Sequence, residues 1–398
     1  MDALTTPSNW QRVRLGDIAH VFDGTHQTPQ YTHYGVAFFS VENIVSDRPS
    51  KFISQQDYLT ATNQNRPEYN DILLTRIGTI GVSKVVNWNY PFSIYVTLAV
   101  IKQSKYFNSY YLHYFIQSNF FQKELKNNSL LQAIPCINMN ELKKCEVILP
   151  PLNEQAAIAN ILSTLDHYLY SLDALILKKE SVKKALSFEL LSQRKRLKGF
   201  NQNWQRVRLG DIAEIKRGAS PRPIENPKWF CTNSNVGWVR ISDISKNSRF
   251  LYKTAQKLSK KGIEKSRFIK QNSLIMSMCA TIGKPIITKI DTCIHDGFVV
   301  FENPKIDLNY LYYFLCYIEK EWLESGQQGS QVNLNVDLIK NKEVFCPKDL
   351  NEQIAIANIL SALDSEIISL KNKKRQFENI KKALNHDLMS AKIRVLKK

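Results

Sequence analysis

The chain has 398 residues, of which 43% are hydrophobic and 23% are charged, with only 14 glycines and 14 prolines. This composition is that of an ordinary globular protein, and it excludes a mini-protein, a collagen-like chain and a low-complexity segment. Lys and Arg outnumber Asp and Glu by 54 to 36, which gives a net charge of +18. Such an excess favours a polyanionic partner, with nucleic acid as the first candidate.

The seven cysteines are odd in number and contain no C-x-x-C pair. They therefore indicate neither a disulfide framework nor a zinc knuckle. The amino terminus lacks the basic and apolar regions of a signal peptide, and no uninterrupted apolar run approaches the ~20 residues of a membrane span. We expect a cytoplasmic protein that does not enter a membrane.

The first part of each half of the chain has the composition of an α+β domain. Runs such as residues 71–75 and 273–277 are strand-like and alternate with Gly and Asn turns. An aromatic helix is predicted to follow at 110–115 and again at 310–314. Bases can stack on aromatic rings, but at helical spacing beside Leu and Phe these rings are predicted to belong to the core.

Polar loops in which the two copies differ are the candidates for reading DNA bases. Arg can pair with guanine and Gln with adenine, although both are also ordinary surface residues. The predicted DNA-contacting residues of the first half are Thr25, His26, Gln27 and Arg76. Those of the second half are Arg217, Ser220, Arg222, Gln328, Ser330 and Gln331.

Two long helices are predicted at residues 150–200 and 347–398. Apolar residues recur there at alternating spacings of three and four, from Ile158 to Leu186 and from Ile356 to Leu384, as at the a and d positions of a heptad. Charged residues interrupt this stripe at Lys179, Glu366 and Lys373. Core packing or homodimerisation would explain one such stripe, whereas two matching helices can pair within one chain.

The two halves are copies of one unit. The eleven residues from 9 to 19 recur unchanged at 203 to 213, and 21 of the 41 positions from 153 to 193 are identical to their partners 198 residues later. This unit is far longer than the ~20–50 residues of a solenoid repeat. Two such copies can pack with pseudo-twofold symmetry, which suits a bipartite target.

The sequence carries no catalytic or cofactor motif. It lacks G-x-G-x-x-G, H-E-x-x-H, G-x-S-x-G and the Asn-Pro-Pro-aromatic tetrad of amino-methyltransferases. The Glu-x-Lys triplets at 141–143 and 214–216 are compatible with a nuclease metal site, but such triplets are common by chance. We therefore expect a non-catalytic chain that binds no metal or cofactor of its own.

Two motifs carry a family resemblance over essentially the whole chain. Each copy opens with Trp-x-x-Val-x-Leu-Gly-Asp-Ile-Ala and continues with Leu-Asn-Glu-Gln-x-Ala-Ile-Ala-Asn-Ile-Leu-Ser-x-Leu-Asp. With these motifs the chain resembles the specificity subunit of type I restriction-modification enzymes. The resemblance implies an α+β fold with target recognition domains at 1–149 and 201–346 and conserved helical regions at 150–200 and 347–398. The two helices are implied to pair as an antiparallel coiled coil that sets the gap between the halves of an asymmetric DNA site.

The resemblance also implies partners. These are double-stranded DNA, two modification subunits that bring S-adenosylmethionine for adenine methylation, and restriction subunits that add ATP-driven translocation and cleavage, with magnesium on the partner subunits. The modification subunits are implied to dock on the conserved helices. The predicted interface residues are Glu154, Gln155, Ile158, Ile161, Leu162, Leu165, Glu352, Gln353, Ile356, Ile359, Leu360 and Leu363.

Two other interpretations are weaker. A stand-alone DNA-binding protein, such as a repressor or architectural factor, would need no enzyme partner, but the sequence has no helix-turn-helix or basic-zipper pattern. A coiled-coil adaptor would explain the helices but neither the two divergent domains nor the charge. Co-purification with methyltransferase subunits distinguishes all three.

Overall fold

The computed structural model describes residues 7–46, 49–130, 133–246, 249–325 and 334–396. The chain divides into two compact units, Met1–Ala174 with Asn372–Lys398 (unit 1) and Leu175–Lys371 (unit 2). Each unit holds one mixed α/β domain. The boundaries of these units differ from the predicted domain boundaries at 149 and 346. Each unit also includes the first part of the long helix that follows its own domain and the last part of the other long helix.

Unit 1 contains three small sheets. Its strands are β1 Gln11–Arg14, β2 Val21–Asp23, β3 Tyr31–Thr32, β4 Val36–Phe39, β5 Lys51–Ile53, β6 Ile72–Thr75, β7 Ser83–Val85, β8 Phe92–Ile94, β9 Leu98–Ile101 and β10 Glu146–Leu149. The strand orders are β1-β10, β2-β9-β6-β7 and β3-β5-β4-β8, and only the β4–β8 pairing is parallel in these sheets. The helices that begin in this unit are α1 Leu15–Ile18, α2 Val41–Ser46, α3 Gln55–Ala61, α4 Ser109–Ile116, α5 Asn119–Asn127, α6 Met139–Lys144 and α7 Leu152–Leu191.

Unit 2 repeats this architecture with one more strand in its largest sheet. Its strands are β11 Gln205–Arg208, β12 Glu214–Arg217, β13 Gly237–Val239, β14 Phe250–Leu251, β15 Gln256–Lys257, β16 Arg267–Ile269, β17 Leu274–Ser277, β18 Pro285–Thr288, β19 Thr292–Ile294, β20 Phe298–Glu302 and β21 Glu343–Cys346. The strand orders are β11-β21, β12-β20-β17-β18-β14 and β15-β13-β19-β16. The helices that begin here are α8 Leu209–Ile212, α9 Ile241–Ser245, α10 Lys260–Glu264, α11 Leu308–Tyr317, α12 Glu319–Ser325, α13 Val336–Asn341 and α14 Leu350–Met389, with a 3-10 helix at Pro227–Trp229.

The central strands are apolar on both faces because each lies between two core clusters. In β6, Ile72 and Leu74 belong to the cluster that includes the aromatic helix α4, whereas Leu73 belongs to the cluster around Phe39. Alternate residues of a strand point to opposite faces of the sheet, so an unbroken apolar run fills both clusters. In unit 2, β17 is divided in the same way between two clusters. Each domain is thus a layered core that fixes the loops at the strand ends.

The aromatic helices lie in the core as predicted, except for Tyr110, which is 40% exposed. In α4, Tyr111 and Phe115 are at most 1% exposed, and in α11 Tyr310 and Tyr313 are at most 2% exposed. Their rings are therefore unavailable for stacking with bases.

The long helices pair in antiparallel fashion inside each unit. In unit 1, Asp166 of α7 contacts Lys381 of α14 and Asp173 contacts Lys374, so the numbers rise along one helix as they fall along the other. In unit 2, Lys183 of α7 contacts Asp364 of α14.

Two of the charged residues that interrupt the predicted heptad stripe are paired with each other. In unit 2 the Nζ of Lys179 lies 2.8 Å from Oε1 of Glu366. The third charged residue, Lys373, is in unit 1, where its Nζ lies 5.5 Å from the centre of the Tyr168 ring. Ile161, Leu175 and Val182, predicted at heptad positions, are 37–39% exposed. Ile158, Leu172 and Ile356, also predicted at heptad positions, are buried, and so are the neighbouring residues Leu162, Ile176, Leu360 and Ile367.

By length and composition alone, one helix in the described part of the chain, Leu350–Met389, is apolar enough to cross a membrane. This helix carries a buried carboxylate, Glu352, and a second, Asp364, which is ion-paired. Both carboxylates are bound to partners within unit 2, and such charges are costly in hydrocarbon, so this helix is weak evidence of a membrane span.

Candidate nucleic-acid interface

The loop after β2 carries three of the predicted DNA-contacting residues. Two backbone hydrogen bonds connect the loop to the turn before β9. Thr25 N donates to Ile94 O (3.1 Å), and Val96 N donates to Thr25 O (3.0 Å). A Cβ on Gly24 would lie 2.1 Å from the Ile94 carbonyl oxygen, so only glycine permits this approach. The loop therefore presents Thr25, His26 and Gln27 at an exposed edge of unit 1.

Asp23 organises this loop. Its Oδ2 accepts hydrogen bonds from Nη1 of Arg76 (3.0 Å) and lies 3.1 Å from Nε2 of His26. The His26 side chain is 73% exposed, so its ring reaches solvent at the edge of the domain. We call Asp23, Thr25, His26 and Gln27 reading cluster 1.

Arg76 lies inside the domain rather than on its surface. Only 6% of the residue is exposed, and it also donates from Nη1 to the Val96 carbonyl (2.8 Å) and from Nε to the Ile137 carbonyl (3.2 Å). These bonds satisfy a buried charge and hold three chain segments together. They assign Arg76 to supporting reading cluster 1, and its predicted contact with DNA stays a prediction that this burial does not favour.

In unit 2, three predicted residues converge on Asp296, one on its backbone carbonyl and two on its carboxylate. Arg217 Nε donates to the Asp296 carbonyl (2.8 Å), Ser220 Oγ donates to Oδ1 of Asp296 (2.7 Å), and Arg222 Nη2 lies 3.3 Å from its Oδ2. The Ser220 hydrogen bond and the Arg222 charge lower the pKa of Asp296, so it is ionised at neutral pH. We call Arg217, Ser220, Arg222 and Asp296 reading cluster 2.

Asp296 was not among the predicted site residues, although the sequence holds a signal for it. Residues 95–98 and 295–298 precede equivalent strands, and the first copy has Tyr-Val where the second has His-Asp. His295 supports the turn, because its Nδ1 accepts from Gly297 N (2.9 Å). Burial lowers the pKa of His295, which keeps the ring neutral and its Nδ1 free to accept.

The two reading clusters use one scaffold position with opposite chemistry. Asp23 ends β2 and precedes Gly24, whereas Arg217 ends β12 and precedes Gly218. A Cβ on Gly218 would lie 2.0 Å from the His295 carbonyl oxygen, matching the close approach at Gly24. A carboxylate accepts hydrogen bonds and a guanidinium donates them, so the two positions carry opposite hydrogen-bonding groups. The remaining predicted residues, Gln328, Ser330 and Gln331, lie outside the described residues.

A buried glutamate fastens each domain to its long helix. In unit 1, Glu154 accepts from Trp10 Nε1 (3.2 Å) and from Arg394 Nε (2.6 Å) and Nη2 (2.9 Å). In unit 2, Glu352 accepts from Trp204 Nε1 (3.2 Å) and from Arg196 Nη2 (2.9 Å). We call each of these two sets, Glu154 with Trp10 and Arg394 and Glu352 with Trp204 and Arg196, a clamp. Each clamp joins the opening motif of the domain, the first turn of one long helix and the segment after the other long helix.

The glutamine that follows each glutamate supports the same junction. The side-chain oxygen of Gln155 accepts from Asn108 N and its Nε2 donates to the Pro150 carbonyl, both at 2.8 Å. Gln353 makes the equivalent bonds to Asp307 N and to the Pro347 carbonyl, also at 2.8 Å. The second copy has Pro347-Lys348-Asp349 where the first has Pro150-Pro151, and both sequences allow these two glutamine bonds.

Each long helix has a second junction further along the chain, formed by a tyrosine, an aspartate and a lysine. In unit 1 the Tyr114 hydroxyl donates to Asp166 (2.7 Å), which also binds Lys381 of α14. In unit 2 the Tyr313 hydroxyl donates to Asp364 (2.7 Å), which also binds Lys183 of α7. Each domain is therefore held to the helix pair at two separate points.

These junctions revise the predicted partner interface. Eight of the twelve residues are at most 2% exposed, namely Glu154, Gln155, Ile158, Leu162, Glu352, Gln353, Ile356 and Leu360. Enclosed within their own units, they cannot present a surface to another subunit, and they fasten domains to helices instead. Ile161 is 37% exposed and Leu165, Ile359 and Leu363 are half-buried, so docking through these four stays a prediction.

Exposed apolar residues that the prediction missed also lie on the long helices. They include Tyr170 (77% exposed), Leu177 (64%), Ile380 (49%) and Ile368 (45%). Within the described ranges, no three His, Cys, Asp or Glu side chains lie together as a metal site would require.

Comparison with known proteins places this architecture in a family. The family model for the type I restriction modification DNA specificity domain matches residues 7–179 and again 201–379. The MjaVIII specificity subunit of a type I restriction enzyme from Methanocaldococcus jannaschii is 25% identical over 99% of this chain and 95% of its own length. The putative MjaX specificity subunit from the same organism is 26% identical over 98% of this chain. The crystal structure of a type I restriction-modification S subunit from M. genitalium has a TM-score of 0.63 at 16% identity and covers 97% of both chains. The chain therefore belongs to the type I restriction-modification DNA specificity family.

Proposed function

We propose that this chain is the DNA sequence-recognition subunit of a type I restriction-modification complex and has no catalytic activity of its own. The observation that carries the proposal is the pair of reading clusters. The two units share their sheets, their glycine-dependent loops and their clamps, yet Asp23 stands where Arg217 stands in the other copy. A repeated scaffold with different polar ends suits reading two different sequences in double-stranded DNA.

The target is an asymmetric bipartite site, with one half read by each unit. Reading cluster 1 offers a carboxylate and an imidazole, and reading cluster 2 offers two guanidinium groups around Asp296. The paired helices set the number of base pairs between the halves.

The partners follow from the duplication of the helices. Two modification subunits dock on the two helical regions, where exposed Tyr170, Leu177 and Ile368 supply apolar contact area. They bring S-adenosylmethionine and methylate adenine, while restriction subunits with ATP and magnesium translocate and cleave DNA. This assembly acts in the cytoplasm, and the present chain supplies sequence recognition.

Co-purification and methylation sequencing test the proposal together. A tagged chain expressed in its native host should retain methyltransferase subunits in stoichiometric amount, and deleting its gene should abolish one bipartite methylated motif. A chain that purifies without such subunits and binds one DNA sequence would instead be a stand-alone repressor or architectural factor.

Purified alone, the chain should bind DNA weakly and with strong salt dependence, and it should neither methylate nor cleave DNA. The reason is that the net charge of +18 attracts phosphates, whereas the catalytic groups belong to the partners. Fluorescence anisotropy and transfer of a labelled methyl group measure the two properties. Methyl transfer by a preparation shown by mass spectrometry to lack partner subunits would contradict the proposal.

Replacing Arg222 with Gln should reduce sequence specificity at one base pair of the second half-site and leave the first half-site unchanged. The Arg222 side chain is 77% exposed, so the change should alter stability by no more than about 0.5 kcal/mol. Loss of one base contact costs roughly 1–3 kcal/mol of discrimination. Arg206→Gln is the control, because Arg206 is 75% exposed on β11 outside reading cluster 2. An unchanged motif for Arg222→Gln would remove this residue from the reading set.

A further inference from the structure

Four exposed lysines lie close together in sequence in the segment of the second domain that connects β15 to β16. Lys257 ends β15, Lys260 and Lys261 begin α10, and Lys265 follows α10. Segment 257–265 contains one acidic residue, Glu264, so it carries a net charge of +3. Among the described residues, none of the four lysines lies in an ion pair. We call these four residues the lysine cluster.

The backbone beneath the lysine cluster is held in place. The Ser259 hydroxyl caps α10 by accepting from Gly262 N (3.2 Å) and donates to the Lys228 carbonyl (2.7 Å). Ser259 N donates to the Trp229 carbonyl (2.8 Å), which packs α10 against the 3-10 helix. Since the backbone is held, the Cα positions of the four lysines are fixed relative to the domain.

The lysine cluster adjoins reading cluster 2. Arg267, two residues after Lys265, donates from Nε to the backbone carbonyl of Arg217. On the other side, Gln256, which precedes Lys257, accepts from Arg240 Nη1 (2.8 Å). The Lys265 end of the lysine cluster therefore lies beside Arg217, where the backbone of a duplex read by reading cluster 2 would pass.

The first copy has a serine-capped helix at the equivalent position, without the charge. Ser54 caps α3 by accepting from Asp57 N (3.0 Å), as Ser259 caps α10. Aligned on these two serines, residues 52–60 contain no Lys or Arg and one acid, Asp57, so the net charge is −1. Gln55 and Gln56 stand where Lys260 and Lys261 stand. The fold therefore does not require the lysines, and a difference of four charges separates the two copies.

We propose that the lysine cluster binds phosphates of the DNA backbone beside the second half-site, which makes unit 2 the electrostatic anchor of the two units. This inference rests on the proposed function. Contacts to phosphate position a protein without reading sequence, and they make affinity depend steeply on salt. Unit 1 then contributes sequence reading with a smaller salt-dependent share.

The test compares two fourfold variants in the assembled complex with its modification subunits. The first replaces the lysine cluster (Lys257→Gln, Lys260→Gln, Lys261→Gln and Lys265→Gln). The matched control removes four other exposed charges of unit 2 (Lys305→Gln, Lys320→Gln, Lys340→Gln and Lys348→Gln). DNA affinity is measured as a function of KCl concentration on a duplex with the methylated motif and on a scrambled duplex.

We expect the slope of log K against log [KCl] to become less steep by about 2–4 for the lysine-cluster variant, since each lost phosphate contact accounts for about 0.9. The loss should be equal on both duplexes, the methylated motif should stay the same, and the control should keep the wild-type slope. If the variant keeps the wild-type salt slope and its sequence preference, the lysine-cluster proposal is overturned and the proposed function is not. Loss of modification subunits from the variant in gel filtration would overturn the lysine-cluster proposal too, because the cluster would then bind an acidic protein surface. A wild-type complex with no preference between the duplexes would overturn the proposed function as well.

Discussion

Exchanging residues 20–149 for the equivalent segment of a related specificity subunit should replace one half of the methylated motif and leave the other half unchanged. The exchanged segment carries all of reading cluster 1, including Asp23 and His26. It leaves Trp10 and Glu154 in place, so the clamp on the helix is preserved. Unit 2 keeps every residue of reading cluster 2. Methylation sequencing of a host that carries the exchanged gene measures both half-sites at once.

The reciprocal exchange is the matched control. Replacing residues 214–346, which contain Arg217 and Asp296 and preserve the clamp of Trp204 and Glu352, should change only the other half of the motif. The spacer between the halves should keep its length in both exchanges, because neither alters a long helix. A single exchange that changed both halves together would contradict the assignment of one half-site to each unit.

The architecture of the chain could be predicted from the sequence because it depends on features repeated at long range. The identical opening motif and the matching helices revealed the duplication, and the three-and-four spacing located helices that the structure places at Leu152–Leu191 and Leu350–Met389. The aromatic helices were predicted to be core and, except for Tyr110, are core. Periodicity reports which element forms and which face is apolar, so these predictions needed no knowledge of tertiary contacts.

The partners of individual polar residues could not be predicted, because they come from distant parts of the chain. Glu154 and Gln155 have the composition of an exposed first helical turn, yet Trp10, Arg394 and Asn108 enclose them. Arg76 was predicted to read a base, whereas Asp23 and two carbonyls hold it inside the domain. Sequence spacing contains no information about such tertiary contacts, because they depend on how the sheets and helices pack.

The same limit applies to the seam between the long helices. Lys179 and Glu366 were treated as interruptions of two separate heptad stripes, and in the structure they are an ion pair. Each charge looks unfavourable only while its own helix is considered alone. Pairing across an antiparallel interface compensates both charges, which a single-helix pattern cannot show.

Replacing Glu352 with Gln should lower the free energy of unfolding of unit 2 by about 2–3 kcal/mol. The Glu352 carboxylate is 1% exposed and binds Arg196 and Trp204 together. Glutamine keeps the size but removes the charge and one acceptor oxygen, which leaves the guanidinium without its counter-charge. Breaking a fully buried ion pair costs about 3–5 kcal/mol, and the 26% exposure of the Arg196 side chain lets water offset part of that cost.

Glu343→Gln in the same unit is the matched control. Glu343 is also paired with an arginine, Arg206, at 3.5 Å, but the two side chains are 53% and 75% exposed. An exposed pair of this kind contributes less than about 1 kcal/mol, so this variant should unfold almost as the wild type does. Urea unfolding followed by tryptophan fluorescence measures both variants, and Trp204 lies in the clamp itself. A double-mutant cycle with Arg196→Gln should give a coupling energy near the full effect of Glu352→Gln. Equal losses for Glu352→Gln and Glu343→Gln would show that the buried clamp adds no more than a surface ion pair, and the fastening of the second domain would then depend on the Tyr313, Asp364 and Lys183 junction.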